Sequence, residues 1–311
     1  MDSYTLLSSL AVFYPCPNFS SELKFLHQQF GDTSLPLSDL VKVLPVGAFR
    51  EFYSQLPKRW WHEAEREVGI WKKNGLSLTH PLSSDYPRSW LEKLSSPPCF
   101  VIYKGQPVWN VSDAHCLSVV GSRRPLAESL QWMEQHLTRL LQSRTDLVVV
   151  SGGARGVDQK AHALSLRNGR STLCVLPSGL EQIYPQDLRS WEESFVAGGG
   201  ALISCYHPRA RVHKSHFHQR NRLIAAFSEL VFIVEAQRKS GSWLTAMAAL
   251  KQGSQLITLP MAAWQTQGAG NLDLIFDGAE FVRDHQDLSL LVDRYLKPVA
   301  NERQLQLKRQ S

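Results

Sequence analysis

The segment Leu147-Val-Val-Val-Ser-Gly-Gly-Ala-Arg-Gly-Val-Asp158 decides the fold. Its first four residues are all apolar, with no polar residue alternating between them, which indicates a strand buried on both faces. A glycine-rich turn follows at once, and then a helical pattern that contains Ala161, His162 and Leu164. A buried strand joined to a helix by a tight turn is the building unit of a parallel sheet covered by helices.

Five further apolar runs of this kind occur after residue 100, and helical patterns lie between them. The runs are 117–120, 172–176, 201–204, 230–234 and 255–259. Segments 128–141 and 244–252 are long enough for crossover helices. The sequence therefore predicts an α/β fold whose core is a doubly wound, mostly parallel sheet of at least six strands.

The N-terminal part of the chain has a different pattern. Leucines and aromatic residues recur there at helical spacing between prolines and glycines, which is typical of short helices joined by turns. Trp60 to Trp71 is predicted as a longer amphipathic helix with Gly75 as its C-cap. We expect three parts: a smaller helical domain (1–84), the sheet domain (85–285) and a tail of one helix, 288–296, with a frayed end (286–311).

The composition is that of an ordinary globular protein with a mild excess of positive charge. Lys and Arg number 34 against 28 Asp and Glu, which gives +6 and an isoelectric point near 9.1 and favours an anionic partner. The five cysteines are scattered without a C-x-x-C pair, which indicates reduced thiols. The sequence shows neither a signal-peptide pattern nor a long apolar run, so we expect a cytoplasmic protein that does not enter a membrane.

Three of the predicted strands end in loops suited to anions. The loops are 119–125, 150–158 and 234–242, and each combines glycine or serine with arginine or lysine. The carboxyl ends of parallel strands meet at one edge of the sheet, where backbone N–H groups and helix N-termini bind anions. We therefore predict one anion-binding rim built from these loops.

None of these loops carries a nucleotide-binding or catalytic signature. The sequence has no G-x-x-x-x-G-K-[ST] motif and no G-x-G-x-x-G motif followed by an acidic residue, which disfavours nucleoside triphosphate hydrolysis and a dinucleotide cofactor. Ser151 lacks the surroundings of an activated nucleophile. Arginines and a lysine interleave with His207, His213, His216 and His218 and disfavour a metal. We predict no catalytic residue, no metal and no cofactor.

The stretch Lys214-Ser-His-Phe-His-Gln-Arg-Asn-Arg222 combines positive charge with an aromatic ring, directly before an apolar run at 223–227. Arginine and lysine neutralise phosphates and an aromatic face stacks on an unpaired base, without reading sequence. The stretch therefore indicates an interface for a single nucleic-acid strand. The alternative is a solvated basic helix start with Phe217 packed into the core.

Two carboxylates near the loops have expected structural roles. Asp158 is expected to accept hydrogen bonds from local backbone N–H groups rather than to pair with His162, one turn further on. Glu235, at the end of a predicted strand, is expected to orient Arg220 or Arg222 by a charge-assisted hydrogen bond.

The order of these motifs resembles the DNA-processing protein A (DprA, also called Smf) family. The motifs that carry the resemblance are Asp85-Tyr-Pro87, Pro97-Pro98, Gly105, Ser151–Asp158 with Ala161-His162, Gly179, Tyr184-Pro185, Phe217 with Arg220-Asn-Arg222, Glu235-Ala236, Ser240-Gly-Ser242 with Thr245-Ala246, Gly270-Asn271 and Gly278-Ala279. The resemblance extends from residue 85 to residue 283 and implies an extended Rossmann-like domain.

The resemblance also implies a function. It implies a cytoplasmic homodimer that binds single-stranded DNA, protects incoming DNA in natural transformation and loads the RecA recombinase onto it. The residues that it assigns to the DNA pocket are Gly121, Ser122, Arg123, Ser151, Gly152, Lys214, Phe217, Arg220 and Asn221. Within this set, Arg123, Lys214 and Arg220 are expected to hold phosphates and Phe217 to contact a base. The backbone N–H groups of Gly121 and Gly152 are expected to approach the strand.

The chain departs from the family pattern in three places. Met261 follows Pro260 where the family usually has glycine, and Cys205 follows Ser204 where many members have glutamate. About 25 residues after residue 285 are too few for the C-terminal winged helix of many members, so we expect none. Residues 1–84 lack a clear helix-hairpin-helix signature, and a sterile-alpha-motif-like domain is the expectation there.

Two other functions stay open at this point. A nucleotide-processing enzyme of the lysine-decarboxylase-like phosphoribohydrolase type would share the fold, but its P-G-G-x-G-T-x-x-E loop has no match, since 151–156 lacks Thr and Glu. A scaffold that binds RecA and keeps only vestigial DNA contacts would carry the same motifs. Release of free base from a nucleoside monophosphate would identify the enzyme. Binding of RecA without binding of an oligonucleotide would identify the scaffold.

Overall fold

The computed structural model describes residues 58–81, 83–110 and 114–296, with residues 58–61 by their backbone only. Most of the predicted N-terminal domain and the predicted frayed end therefore lie outside the described residues. The helix expected at 60–71 is confirmed as α1, Lys58–Lys73. Gly75 follows it with a φ of 74°, a left-handed conformation that ends helices and that glycine adopts without strain.

Nine strands form one sheet in the described part of the chain. They are β1 (Ser77–Thr79), β2 (Val101–Gly105), β3 (His115–Val120), β4 (Leu147–Ser151), β5 (Thr172–Val175), β6 (Ala201–Ser204), β7 (Leu230–Ile233), β8 (Gln255–Thr258) and β9 (Glu280–Phe281). The six predicted strands are β3 to β8. Because β1 precedes residue 85 and pairs with β2, the sheet begins earlier than we expected.

The strand order is β1-β2-β6-β5-β4-β3-β7-β8-β9. The pairs β1–β2 and β2–β6 are antiparallel. The remaining neighbours in this order, which involve the seven strands β3 to β9, pair in parallel. The chain proceeds from β3 to β6 on one side and then returns to β7 on the other side of β3. The loops that leave β3 and β7 therefore diverge and open a crevice at the carboxyl edge of the sheet.

Helices cover the sheet. Besides α1 they are α2 (Arg88–Lys93), α3 (Ala127–Trp132), α4 (Thr138–Ser143), α5 (Val157–Arg167), α6 (Glu192–Ala197), α7 (Lys214–Ala226), α8 (Gly241–Lys251), α9 (Ala269–Phe276) and α10 (His285–Tyr295). A π-helical turn, Met133–Leu137, joins α3 to α4. Among the described residues, no helix has both the length and the apolar character needed to span a bilayer. The predicted crossover helices and tail helix are confirmed.

Alternate residues of the strands pack into two cores, one on each face of the sheet. Val148 and Val150 belong to the core that includes α2, α7 and α8. Leu147 and Val149 belong to the core that includes α4, α5 and α10. Full burial of an aliphatic side chain contributes about 1.5–3 kcal/mol, so the continuous apolar strands are stabilised from both faces. The predicted doubly wound, mostly parallel α/β sheet is confirmed.

Helix α7 is fixed to the sheet by its apolar C-terminal half. The indole N–H of Trp90 donates to the carbonyl of Leu223 over 3.1 Å, and its ring centroid lies 4.6 Å from that of Phe227. The hydroxyl of Ser118 on β3 donates to the carbonyl of Ile224 over 2.7 Å. Because α7 runs antiparallel to the strands, its basic first turns lie at the carboxyl edge.

His162 of α5 is fully buried. Its Nδ1 lies 2.7 Å from Oγ1 of Thr172, and that hydroxyl donates to the carbonyl of Val149, so the imidazole is the donor to the hydroxyl. Burial, assisted by the charge of Arg220, lowers the pKa of His162 to about 3. The folded protein therefore keeps this ring neutral at pH values where the unfolded chain protonates it.

This burial predicts a stability that falls on acidification. The folded pKa lies below the ordinary value of about 6.5, so the stabilisation is complete above that pH and is lost as the pH falls toward the folded pKa. From about pH 7 to about pH 5, His162 accounts for a loss of about 2 kcal/mol of unfolding free energy. His162→Asn keeps an amide donor for Thr172 but cannot be protonated, so this loss of about 2 kcal/mol between the two pH values should disappear. Urea unfolding at both pH values measures it. His218→Asn, at an exposed position, is the control and should show the same loss as the unmodified protein. An unchanged pH dependence in His162→Asn would contradict the prediction.

Candidate nucleic-acid interface

The three predicted loops meet at the carboxyl edge and enclose a depression of about 560 Å³. We call it the switch-point depression, because it lies where the strand order reverses. It is lined by Gly121–Arg124 after β3, Ala154 and Asp158 after β4, Gln237 and Ser240–Ser242 after β7, and Phe217, Arg220 and Asn221 of α7. The three loops thus lie together at one edge, as predicted, and their binding of anions stays a prediction.

A second depression, of about 370 Å³, adjoins the first and shares Arg123, Phe217 and Arg220 with it. Its other walls come from the β4 loop and from the segment after β5. They include Gly152, Arg155, Pro177, Tyr184, Pro185 and Gln186. We call it the Tyr184 depression. Phe217 thus stands at the boundary of two concave surfaces that both carry guanidinium groups.

A buried ion pair lies at the base of the switch-point depression. Nη1 of Arg220 is 3.7 Å from Oδ2 of Asp158, and the two side chains are 6% and 5% exposed. Burial raises the pKa of Asp158, while the charge of Arg220 and the N–H groups of Ala154, Gly121 and Gly152 act in the opposite direction. Asp158 therefore accepts local N–H groups, as predicted, and its ionic partner is Arg220 rather than His162.

Glycines allow this pair to form close to the backbone. A Cβ atom on Gly152 would lie 1.4 Å from Nη1 of Arg220, so only glycine leaves room for the guanidinium. Gly156 has a φ of 86°, and a Cβ atom there would lie 2.4 Å from the carbonyl oxygen of Ser122. The glycines of the second loop thus serve the packing of Arg220 and of the first loop.

Phe217 is half-buried and lines both depressions, so it is not packed into either core. Cζ of Arg123 lies 5.2 Å from its ring centroid and Cζ of Arg220 lies 5.9 Å from it. The Tyr184 ring meets it edge-on, with centroids 5.8 Å apart and an interplanar angle of 80°. Cations at this distance from an aromatic face are attracted to it, so the ring and the guanidinium groups form one cluster.

The structure brings most of the predicted site residues together, but not all of them. Gly121, Ser122, Arg123, Phe217, Arg220 and Asn221 line the switch-point depression, and Gly152 lines the Tyr184 depression. Lys214 is exposed one helical turn before Phe217 and lines neither depression. Asn221 donates its amide to the carbonyl of Gly241 over 3.1 Å, so it holds the start of α8.

Three predicted roles need correction. Ser151 is fully buried and its hydroxyl donates to the carbonyl of Val119 over 2.6 Å, so it joins two strands and has no surface to offer a DNA strand. The N–H groups of Gly121 and Gly152 interact with the carboxylate of Asp158, so an anion of the protein itself lies beside them where a DNA strand was expected. Arg220 was expected to hold a phosphate, but its side chain is buried and paired with Asp158, so it anchors α7 to the start of α5.

The expected role of Glu235 is wrong. Its Oε2 accepts hydrogen bonds from the backbone N–H of Leu126 over 2.9 Å and from the hydroxyl of Ser129 over 2.8 Å. Glu235 therefore fixes the start of α3, and with it the loop that carries Arg123, rather than orienting Arg220 or Arg222.

Known proteins resemble this chain in sequence over most of its length. Residues 77–293 match the sequence model of the family described as DNA recombination-mediator protein A. The chain belongs to this family. The DNA processing protein DprA of Bacillus subtilis (strain 168) is 32% identical over 238 residues, which cover 76% of each chain. That of Streptococcus pneumoniae (strain ATCC BAA-255 / R6) is 31% identical over 208 residues, which cover 67% of this chain and 71% of the relative.

Solved structures of DNA recombination-mediator protein A relatives share the fold. The X-ray structure of DprA from Streptococcus pneumoniae superposes with a TM-score of 0.69 at 26% identity and covers 92% of this chain and 95% of that chain. DNA processing protein A from Helicobacter pylori superposes with a TM-score of 0.60 at 28% identity, covering 71% and 97%. The latter structure is described for a unique single-stranded DNA binding mode. The predicted resemblance and Rossmann-like fold are confirmed.

Two features of this site were not predicted from the sequence. Tyr184 was predicted only as part of a motif, whereas in space it is the second exposed ring of the Phe217 cluster. The predicted partners of Asp158 were backbone N–H groups alone. The sequence does contain a signal for the position of Tyr184. This residue precedes a proline in the loop after a buried parallel strand, and such loops lie at the carboxyl edge together with the other loops of the site.

The buried pair predicts a specific coupling between Gly152 and Arg220. Gly152→Ala should lower the unfolding free energy by about 1–3 kcal/mol, because the new methyl group displaces the guanidinium. In an Arg220→Ala background the same change should cost much less, because no guanidinium is left to displace. Urea unfolding of the four proteins measures the coupling.

Gly69→Ala is the matched control for this cycle, because a Cβ atom there meets nothing within 4 Å. It should be neutral or stabilise α1 by up to about 1 kcal/mol in either background. Additive effects of Gly152→Ala and Arg220→Ala would show that the two residues do not share this space.

Proposed function

We propose that this protein binds single-stranded DNA at the carboxyl edge of its sheet, with the strand passing over Phe217 from one depression to the other. The observation that carries the proposal is the partly exposed ring of Phe217, which lies 5.2 and 5.9 Å from two guanidinium groups at the boundary of two depressions lined by arginines. An aromatic platform beside cations binds a single strand without regard to sequence. Family membership and the described binding mode of the Helicobacter pylori relative support the same ligand.

The cations have different tasks in this proposal. Arg123 and Lys214 are exposed and free to neutralise phosphates, which supplies affinity and its salt dependence. Arg220 is buried against Asp158, which offsets its charge, and it acts by supporting the ring of Phe217. Of the residues that line the switch-point depression, Asp158 is the single carboxylate, and it is already engaged. This geometry does not favour the nucleotide-processing alternative.

We further propose that the protein acts as a homodimeric recombination mediator in the cytoplasm, which protects incoming DNA during natural transformation and loads RecA onto it. Membership in the DNA recombination-mediator protein A family supports this finer role. Light scattering with and without a short poly-dT strand tests the dimer. Retention of purified RecA on the immobilised protein tests the second partner, and failure to retain it would contradict RecA loading while leaving single-strand binding intact.

Phe217→Ala should weaken binding of a fluorescent poly-dT oligonucleotide about 5- to 100-fold, since a base stacked on an aromatic ring contributes about 1–3 kcal/mol. Phe217→Tyr keeps the ring and should bind within about two-fold of the unmodified protein. Fluorescence anisotropy measures both. Phe276→Ala removes a ring that is 93% exposed on α9 and should have no effect. Equal affinities for Phe217→Ala and the unmodified protein would remove the ring from the interface.

Arg123→Ala and Lys214→Ala should each reduce the salt dependence of binding. For a single strand, the slope of log affinity against log salt concentration falls by about 0.7 for each phosphate contact that is lost. The same anisotropy titrations at several salt concentrations give the slope. Lys251→Ala, at the far end of α8 and also exposed, changes the net charge by the same amount and should leave the slope unaltered. A slope that Lys251→Ala changes as much as Arg123→Ala does would show a general charge effect instead.

A further inference from the structure

We infer that the Tyr184 depression holds one unstacked nucleobase of the bound strand, in the corner between the rings of Tyr184 and Phe217. The inference rests on the proposed single-strand binding and names the subsite in which the strand is held most closely. It assigns to Tyr184 a contact with a base.

The two rings form a right-angled aromatic corner. Their centroids are 5.8 Å apart and their planes are inclined by 80°, and Tyr184 keeps 38% of its surface exposed. A base that stacks on one ring of such a corner meets the other ring edge-on, and both arrangements are favourable for aromatic pairs. Pro177 and Pro185 complete the apolar wall. The corner therefore offers a base a stacking surface and a side wall together.

The size of the depression suits a single nucleotide. Its volume of about 370 Å³ lies near the lower end of the range of about 300–1,000 Å³ for small-ligand sites. A base that is paired in a duplex would have to leave its stack to enter, at a cost of a few kcal/mol. The corner therefore favours a strand whose bases are already free.

The loop that carries Tyr184 is held in place before any ligand binds. The backbone N–H of Tyr184 donates to Oγ of Ser178 over 3.1 Å. The N–H groups of Gly179 and Glu181 donate to the carbonyls of Ala210 and Pro208 over 2.9 and 2.8 Å. These bonds join the loop to the segment that leads into α7, so little ordering is needed when a base binds.

A histidine connects the two sides of the corner. Nδ1 of His216 lies 3.0 Å from the carbonyl oxygen of Pro177, and His216 is next to Phe217 on α7. Its ring stacks on Tyr206, with centroids 3.9 Å apart. The spacing between the Tyr184 loop and the Phe217 ring is therefore fixed by a hydrogen bond and a stacked pair, which makes the corner a preformed site.

Guanidinium groups flank the corner on both sides. Arg123 and Arg124 line both the Tyr184 depression and the switch-point depression, so they are placed to bind the phosphate on the switch-point side of the base. Arg155 lines its other part, and its side chain is 71% exposed with Asp187 as its partner. An exposed ion pair of this kind contributes little, so Arg155 can turn toward a phosphate at small cost. A base in the corner thus has cations for the phosphates before and after it.

The test combines one protein variant with a scan of missing bases. The probe is a fluorescent dT oligonucleotide of about six nucleotides, near the smallest single-strand site sizes, together with the same oligonucleotide carrying one abasic residue at each position in turn. For the unmodified protein we expect one position at which loss of the base weakens binding about 5- to 100-fold. Tyr184→Leu should weaken binding of the complete oligonucleotide by a similar factor and should no longer respond to the abasic residue at that position.

Tyr184→Phe and thermal unfolding complete the experiment. Tyr184→Phe keeps the ring and should bind within about two-fold of the unmodified protein, and an unfolding temperature near that of the unmodified protein shows that Tyr184→Leu is folded. If Tyr184→Phe loses as much affinity as Tyr184→Leu, the hydroxyl rather than the ring makes the contact and the base subsite is wrong. The base subsite would also be wrong if, at every position of the oligonucleotide, the loss of binding free energy from the abasic residue and the loss from Tyr184→Leu were additive.

The outcomes separate this inference from the proposed function. If the unmodified protein binds the oligonucleotide and Phe217→Ala weakens binding, but Tyr184→Leu does not, single-strand binding stands and the corner is not a base subsite. If the unmodified protein does not bind the oligonucleotide, both proposals fail.

Discussion

The buried ion pair between Arg220 and Asp158 is the interaction on which the carboxyl edge of this protein depends. It connects α7 to the start of α5, and through the N–H groups that Asp158 accepts it reaches the loops after β3 and β4. Burial acts against both charges, since it raises the pKa of Asp158 and lowers the pKa of Arg220. Each charge is stable in this position only because the other is present. The pair therefore couples two helices, α7 and α5, with the loops after β3 and β4.

The pair also explains how α7 presents Lys214 and Phe217 at the carboxyl edge. Lys214, Phe217 and Arg220 are spaced by three residues and lie on one side of the helix. Along that side the exposure falls in order, from exposed Lys214 through half-buried Phe217 to buried Arg220. The helix is thus anchored at Arg220 and presents the ring of Phe217, and one turn earlier the ammonium group of Lys214, closer to the solvent. Because the anchor is an ion pair beneath a glycine backbone, Phe217 keeps its position without being covered by apolar side chains.

The fold could be predicted from the sequence because each parallel strand is a continuous apolar run of strand length between turn residues, a pattern typical of strands covered on both faces. The short edge strands could not, since β1 and β9 contain three and two residues and depend on pairing with neighbours distant in sequence. Most of the predicted site residues lie together in the fold, but their interaction partners could not be predicted. Glycine at position 152 indicates a close approach, yet the sequence cannot say that the approaching group is the guanidinium of Arg220. Glu235 was assigned to the wrong partner for the same reason, because the donors that it binds, at positions 126 and 129, are placed by the packing of α3.

The buried carboxylate of Asp158 affects the kind of anion that this edge can hold. In dinucleotide sites of the related fold, the N–H groups of the glycine-rich turn bind a pyrophosphate directly. Here the carboxylate of Asp158 lies at the glycine-rich turn, where it accepts the N–H of Ala154 over 3.3 Å and pairs with Arg220, so the turn already holds an anion of the protein itself. Positive charge must come instead from side chains, and Arg123, Arg124 and Arg155 distribute it over two adjoining depressions. Cations spread along an edge match a polymer with evenly spaced phosphates better than a single pyrophosphate. An internal carboxylate at the glycine turn thus disfavours a pyrophosphate at this position, which agrees with the single strand that we propose as the ligand.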